Sequence, residues 1–193
     1  MFSQQITLEN ERALLRPLSS SDFESLFAIS QEKDLWTYFT YDLSTREGLG
    51  NWLDDSFASK GKSQRYPFLI IDKESGKVAG ATAFGSFSPR DKRVEIGWTW
   101  LGPEFHGTGL NKYCKFLLLQ YAFEEMEYLR VELKTDVRNM RSRKAMKKVG
   151  AVEEGVLRSH TLLGNGERRD TIYYSFLAYE WSGVKETIFK GIK

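Results

Sequence analysis

The chain has almost none of the residues that build stapled or metal-held proteins. One cysteine, Cys114, stands among 193 residues, so no disulfide can close within it, and a reducing compartment suits it. With two histidines, His106 and His160, a Cys/His zinc set cannot be assembled, and no metal is expected. Long apolar runs are missing as well. The most apolar stretch, FLLLQYAF (116–123), is far short of a membrane span. The start, MFSQQITLEN, lacks the charged, apolar, small-residue order of a secretory signal. Net charge is +2, too mild for bulk nucleic-acid binding. The expectation is a cytoplasmic protein with no membrane or DNA partner.

What is present is a core's worth of bulk. Apolar residues make up 41% and charged residues 28%, with 13 Phe, 9 Tyr and 5 Trp. That is the balance of one globular domain, expected to span 1–193 with its core at about 12–181 and a short tail at 182–193. Residues 11–17 read as a strand stopped by Pro17. Two capping boxes, Ser21 with Glu24 and Ser44 with Glu47, open two helices. Leu49, Trp52, Leu53 and Phe57 share one face of the second. Strands follow at 66–72, 77–84 and 93–101. In the last, Val94, Ile96, Trp98 and Trp100 alternate onto one face. Leu110, Cys114, Leu117, Leu118 and Tyr121 repeat at helical spacing. A strand at 128–135, with Leu129, Val131 and Leu133 on one face, precedes a helix at 139–150 closed by Gly150. Strands at 153–162 and 169–178 are joined by GNG. The order β, αα, βββ, α, β, α, ββ predicts a mixed α/β (α+β) domain, mostly antiparallel in its first half.

Chemistry concentrates in WTWLGPEFHGTGLNK (98–112): strand, short loop, Gly-x-Gly, helix. Glycines let backbone approach a ligand, and a helix start offers free N–H groups and a partial positive charge. Together these can cradle a phosphate, or they can be a tight turn and nothing more. The spacing is not that of a P-loop. Lys112 stands where a dinucleotide fingerprint needs Gly or Ala, and hairpins precede the loop in place of a βαβ unit.

The segment HGTGLN (106–111) resembles the Q/R-x-x-G-x-G/A loop of the GNAT N-acetyltransferases. The chain from about 12 to 181 is similar to the branch acting on ribosomal-protein N-termini. The resemblance is carried by ALLRPLSSSD, VEIGWTWLGPEFHGTGL, NMRSRKAMKKVGA and YYSFLAYEW. His106 departs from the usual Gln or Arg and Asn111 from a small residue. Met146 and Ala151 stand where Tyr and Phe are common, so the family's tyrosine acid is missing.

The resemblance implies a single GNAT fold, a mostly antiparallel sheet flanked by helices. It implies acetyl-CoA as co-substrate, with its pantetheine arm along Trp98, Thr99, Trp100 and Leu101. The pyrophosphate would lie on His106, Gly107, Thr108, Gly109, Leu110 and Asn111. Asn139 would hold the arm, and Ser142 would lie near the sulfur as acid. Glu95 is the base candidate, acting through water. Tyr173, Tyr174 and His160 are alternatives for the proton steps, and Cys114 reads as a packed thiol. Trp36, Tyr38, Phe39 and Tyr41 would wall the acceptor site. One or two of the six basic residues at 138–148 would meet the 3′-phosphate, unless they form a solvated face or an RNA-facing patch. The implied reaction is direct acetyl transfer to a primary amine, a protein N-terminus such as that of a ribosomal protein. A small-molecule amine, a CoA-holding module without catalysis and a nucleotide-binding domain are the alternatives. The family also implies a homodimer.

Overall fold

The computed structural model describes residues 5–62 and 64–193. Its strands are β1 (Leu8–Glu9), β2 (Ala13–Pro17), β3 (Arg65–Asp72), β4 (Lys77–Ser88), β5 (Arg93–Leu101), β6 (Arg130–Asp136), β7 (Val152–Leu162) and β8 (Arg168–Leu177). Its α-helices are α1 (Phe23–Ser30), α2 (Arg46–Gly61), α3 (Leu110–Gln120), α4 (Met140–Lys148) and α5 (Trp181–Thr187). The strands form one sheet in the order β1-β2-β3-β4-β5-β6-β8-β7. Among the described residues only β5 and β6 pair parallel. Their join is short: Arg93, Val94 and Glu95 meet Arg130, Val131 and Glu132, and no rung follows. Beyond Glu95 the two strands part and leave a cleft within the sheet.

Two apolar layers cover the sheet. On one face Val94, Ile96, Val131, Leu133, Ile172 and Tyr174 pack with Leu110, Cys114, Leu117 and Leu118 of α3. On the other, Leu69, Ala81 and Trp100 pack with Leu26 of α1 and Leu49, Trp52 and Leu53 of α2. The segment 182–193, expected to be a tail, is part of the first layer. Phe189 is 1% exposed, with its ring 5.6 Å from Phe116 and 5.9 Å from Trp181. Phe189→Ala is therefore expected to cost about 3–5 kcal/mol of stability, read from a urea unfolding curve.

Several local expectations are corrected. The first box is Ser19 with Asp22, whose side chains and backbone amides cap reciprocally. The second helix is capped by Thr45, which accepts from Gly48 N. In both cases neighbouring hydroxyl residues compete for the cap, and the chain's entry angle chooses between them. Leu129 lies outside β6 and is 56% exposed, because the ladder begins one residue later. The Gly150 stop fits: Gly150 has φ +91°, its N–H donates to Lys147 O, and Ala151 N donates to Met146 O. This is a Schellman closure.

The largest correction is in β5. Ala83 pairs with Gly97 but Ala81 pairs with Trp100, so β5 carries one extra residue, with Trp98 at φ +52°. A bulge of this kind reverses the alternation beyond it. Val94 and Ile96 face α3, whereas Trp100 lies in the α1–α2 layer. Trp98 is turned onto Gly85, where a Cβ would stand 2.4 Å from its ring.

Candidate active site

The mouth of the cleft is built by the turn between β5 and α3. Gly107 and Gly109 have φ +76° and +92°, a left-handed backbone that glycine adopts at little cost. Gly109 is the N-cap of α3 and gives it no side-chain cap. Thr108 Oγ1 donates to Phe105 O at 2.9 Å and accepts from Leu110 N at 3.3 Å. The amides of Gly107, Thr108 and Gly109 have no acceptor among the described residues. Nothing lies within 4 Å of where either glycine's Cβ would be. This is an open cradle of donors at a helix start, suited to a phosphate.

His106 links the two sides of the cleft. Its Nε2 lies 2.9 Å from Leu101 O at the end of β5, and its Nδ1 lies 3.3 Å from Arg141 Nη1 on α4. A carbonyl only accepts and a guanidinium only donates, so the ring is the neutral Nε2–H tautomer. Burial, then the Arg141 charge, lower its pKa against the opposing carbonyl contact. Arg141 is thereby set beside the phosphate cradle. The spacing of His106 and Arg141, 35 residues apart, gave no sign of this contact.

Asn139 caps α4: its Oδ1 accepts from Ser142 N at 3.0 Å. Neither Asn139 Nδ2 nor Ser142 Oγ has a partner among the described residues. Met146 packs against the core layer, and a thioether has no proton to give. Tyr174 is also committed. Its hydroxyl donates to Glu153 at 2.9 Å and accepts from Arg143 at 3.3 Å, on the face opposite Glu95. Tyr173 faces the same side as Lys134, its register partner, and its hydroxyl has no partner among the described residues. His160 bonds Thr171 Oγ1 at 3.1 Å. Burial pushes the Cys114 thiol up to about 12, which removes it as a nucleophile near neutrality.

Glu95 occupies the last rung before the strands part and is 4% exposed. Its Oε2 accepts from Lys134 Nζ at 2.8 Å and from Ser86 Oγ at 2.9 Å. Ser86 has φ +50° and sits in a second bulge, in β4, which turns its hydroxyl onto the carboxylate. Oε1 has no partner among the described residues, and glycine at 97 leaves it room: a Cβ there would stand 2.8 Å away. Glu95 is thus held by one oxygen and open at the other.

The loop before α2 and the first turns of that helix line a pocket of about 390 Å³, with Thr40, Tyr41, Asp42, Gly48, Asn51, Trp52 and Asp55 on its walls. Trp36, Phe39, Tyr41, Trp52 and Trp100 form a connected ring cluster with centroids 5.2–6.4 Å apart. Tyr41 OH, Trp52 Nε1 and Trp100 Nε1 are buried without partners among the described residues. Of Trp36, Tyr38, Phe39 and Tyr41, which the family resemblance implied as an acceptor wall, all but Tyr38 join this cluster, and Trp100 joins them because of the bulge; the Tyr38 ring lies 5.8 Å from the Arg138 guanidinium instead.

Behind the bulge is a buried cation that sequence reading missed. Lys115 is 5% exposed, its Nζ donates to Thr99 Oγ1 at 2.9 Å, and Thr99 meets Thr82 at 2.7 Å. Burial lowers its pKa to about 8, from about 10.4 in an unfolded chain. Between these values the unfolded chain binds the extra proton, so this group makes stability rise with pH from about 8 to 10.4. Lys115→Met is expected to remove that rise, a difference of about 3 kcal/mol across the window in paired unfolding curves.

A split sheet with a glycine-lined helix start at its mouth offers a seat for a phosphate-bearing ligand. Residues 12–152 match the acetyltransferase (GNAT) domain family. Over 185 residues the chain is 36% identical to a Bacillus subtilis (strain 168) protein named "Putative ribosomal N-acetyltransferase YdaF", covering 91% of this chain and 97% of that one. The crystal structure of a GCN5-related N-acetyltransferase from Brucella melitensis superposes with TM-score 0.89 at 30% identity, covering 96% of this chain and 85% of that one. A ribosomal-protein-S5-alanine acetyltransferase from Vibrio fischeri shares the fold at TM-score 0.72 and 20% identity, covering 91% and 98%. The chain belongs to the GNAT acetyltransferase family and is an acetyl-transferring acyltransferase. Enzymes of this family use acetyl-CoA. Among the described residues no helix is long and apolar enough to cross a membrane, and no group of His, Cys, Asp and Glu could hold a metal.

Proposed function

We propose that this enzyme works in the cytoplasm and moves acetyl from acetyl-CoA directly to a primary amine, in the first instance a protein N-terminal α-amine. The observation that carries the reading is the cleft between β5 and β6, with three unpartnered amides at one end and a half-free Glu95 at the other. Residues 107–109 hold the pyrophosphate, with Arg141 beside it. The open edge of β5 from Trp98 to Leu101 takes the pantetheine arm, and Asn139 Nδ2 is free to bond it. Bound acetyl-CoA supplies an activated acyl carbon and a thiolate leaving group.

The chain's residues manage the protons. Glu95 Oε1 takes the amine's proton through a water as the new C–N bond forms. Ser142 Oγ donates a proton to the departing sulfur. A free α-amine, with pKa about 7.7–8.0, is partly neutral at pH 7, whereas a lysine amine near 10.4 is almost wholly charged. An N-terminal acceptor therefore demands less of a carboxylate base. The likeness to the protein named as a ribosomal N-acetyltransferase supports a ribosomal protein as that acceptor.

Calorimetry with acetyl-CoA, ATP and NAD, followed by thiol-release assays with peptides and small amines, tests the proposal. The expected outcome is micromolar acetyl-CoA binding, about −8 kcal/mol, without ATP or NAD binding, and turnover with free peptide N-termini. Absence of acetyl-CoA binding at about millimolar ligand sinks it.

A further inference from the structure

The sheet face that carries Glu95 also carries an unspent buried cation. Register places Glu95, Glu132, Lys134, Asp136, Ser175, Tyr173, Thr171 and Arg169 on this face of β5, β6 and β8. Its charges pair off almost completely. Glu95 holds Lys134 at 2.8 Å, Asp136 holds Arg138 at 2.9 Å, and Glu132 and Glu154 hold Arg93 and Arg130. Nearby, Arg65 holds Asp55 at 2.7 Å. Arg169 is left over: it has no carboxylate within 4 Å among the described residues.

Its placement is fixed. Arg169 is 9% exposed. Nε donates to Thr171 Oγ1 at 3.1 Å, and Nη1 donates to Tyr38 O at 3.1 Å. The second bond ties β8 to the aromatic loop between α1 and α2. Two of five guanidinium donors are used, and Nη2 has no partner among the described residues. Tyr41, Tyr173, Glu95 and Asp136 all lie near enough to act on its charge. Burial lowers its pKa against all four. A guanidinium held this way, desolvated and with its fork half open, is costly when empty. It suits one partner above others: a planar carboxylate taken by parallel N–H bonds. The cofactor's phosphates are already provided for by the cradle at 107–109, at the other end of the cleft.

We infer that Arg169 is an anion subsite of the acceptor pocket and selects amines that carry a carboxylate close to the reacting nitrogen. The inference rests on the acetyltransferase reading above and narrows its acceptor. Two sources share the chemistry: the α-carboxylate of a free amino acid, and an acidic side chain just after a peptide's N-terminal residue.

Matched acceptors distinguish them. Free amino acids are compared with their α-amides, and peptide amides beginning Xaa-Glu with those beginning Xaa-Gln. In at least one pair the wild type should favour the carboxylate member by about 10–100-fold in kcat/KM, the worth of a charge-assisted hydrogen bond or two. Arg169→Gln should collapse that ratio below about threefold through KM, and Arg169→Lys should restore part of it. Circular dichroism and acetyl-CoA calorimetry establish that each variant is folded; if Arg169→Gln is not, Arg169→Lys and Thr171→Val carry the same comparison. A ratio near one in both pairs overturns the inference, as does a high ratio that survives Arg169→Gln. Should no amine turn over, the function proposed above fails, and calorimetry on the CoA-loaded protein decides the subsite separately. Binding of a carboxylate member to wild type, lost in Arg169→Gln, upholds it; no binding overturns it.

Discussion

Gly109→Ala should weaken acetyl-CoA binding about a hundredfold, a loss of about 2.7 kcal/mol, while the protein still folds. The two effects separate because of what surrounds the glycine. A Cβ at 109 meets nothing of the protein within 4 Å, so the native chain does not clash with it. Its φ of +92° costs an alanine about 1–2 kcal/mol of strain, which a domain of this size survives. On the proposed placement of the cofactor, the methyl enters the space the pyrophosphate needs, and relaxing the strain would turn the Gly109 amide away from the cradle. Calorimetry with acetyl-CoA, alongside a thermal melt, reads both numbers. Binding within about threefold of wild type would mean that the phosphates lie elsewhere.

Glu95→Gln should lower kcat by about 10²–10⁴, the usual worth of a general base, with little change in acetyl-CoA affinity. Glutamine keeps the shape and the bond from Ser86 but cannot take a proton. Lys134, one-quarter exposed, loses its acid but keeps contact with water, so the fold is not expected to suffer greatly. Ser142→Ala is the companion, with a smaller expected fall of about tenfold, because water can protonate a thiolate. If neither variant slows an active enzyme by about tenfold, the proton steps run through other groups. Tyr173, on the same face with a free hydroxyl, is then the next residue to change.

The order of elements from β2 to β8 was legible because each has its own arithmetic: helical spacing in α2 and α3, alternation in β6, a glycine stop after α4; β1, two residues long, and α5 in the expected tail were not. The open turn of donors proposed to hold a phosphate was legible for the same local reason, since Gly107, Gly109 and the helix they start are consecutive. What escaped the sequence lies where local rules are broken or where distant segments meet. Alternation put Trp98 and Trp100 with Val94, and a single inserted residue moved them to the opposite face. Gly97 and Gly85 were the available hints, one beside the bulge and one making room for the indole. Arg169 and Tyr38 are 131 residues apart, and no periodicity connects them. Lys115 was hidden differently: it sits among apolar residues on α3, where a lysine normally signals the exposed side.

The three-rung seam between β5 and β6 also bears on how the molecule yields to force and to heat. The β1–β5 meander is held by neighbours in sequence, and β6, β7 and β8 form a second blade with its own ladder. Few backbone bonds stitch the blades, so the seam is a soft line through the middle of the sheet. A ligand lying in the cleft touches both blades and acts as a tie between them. Amide exchange should then slow at 96–101 and 133–136 when the cleft is filled, and the ladders on the outer sides of both blades should keep the protection they already have.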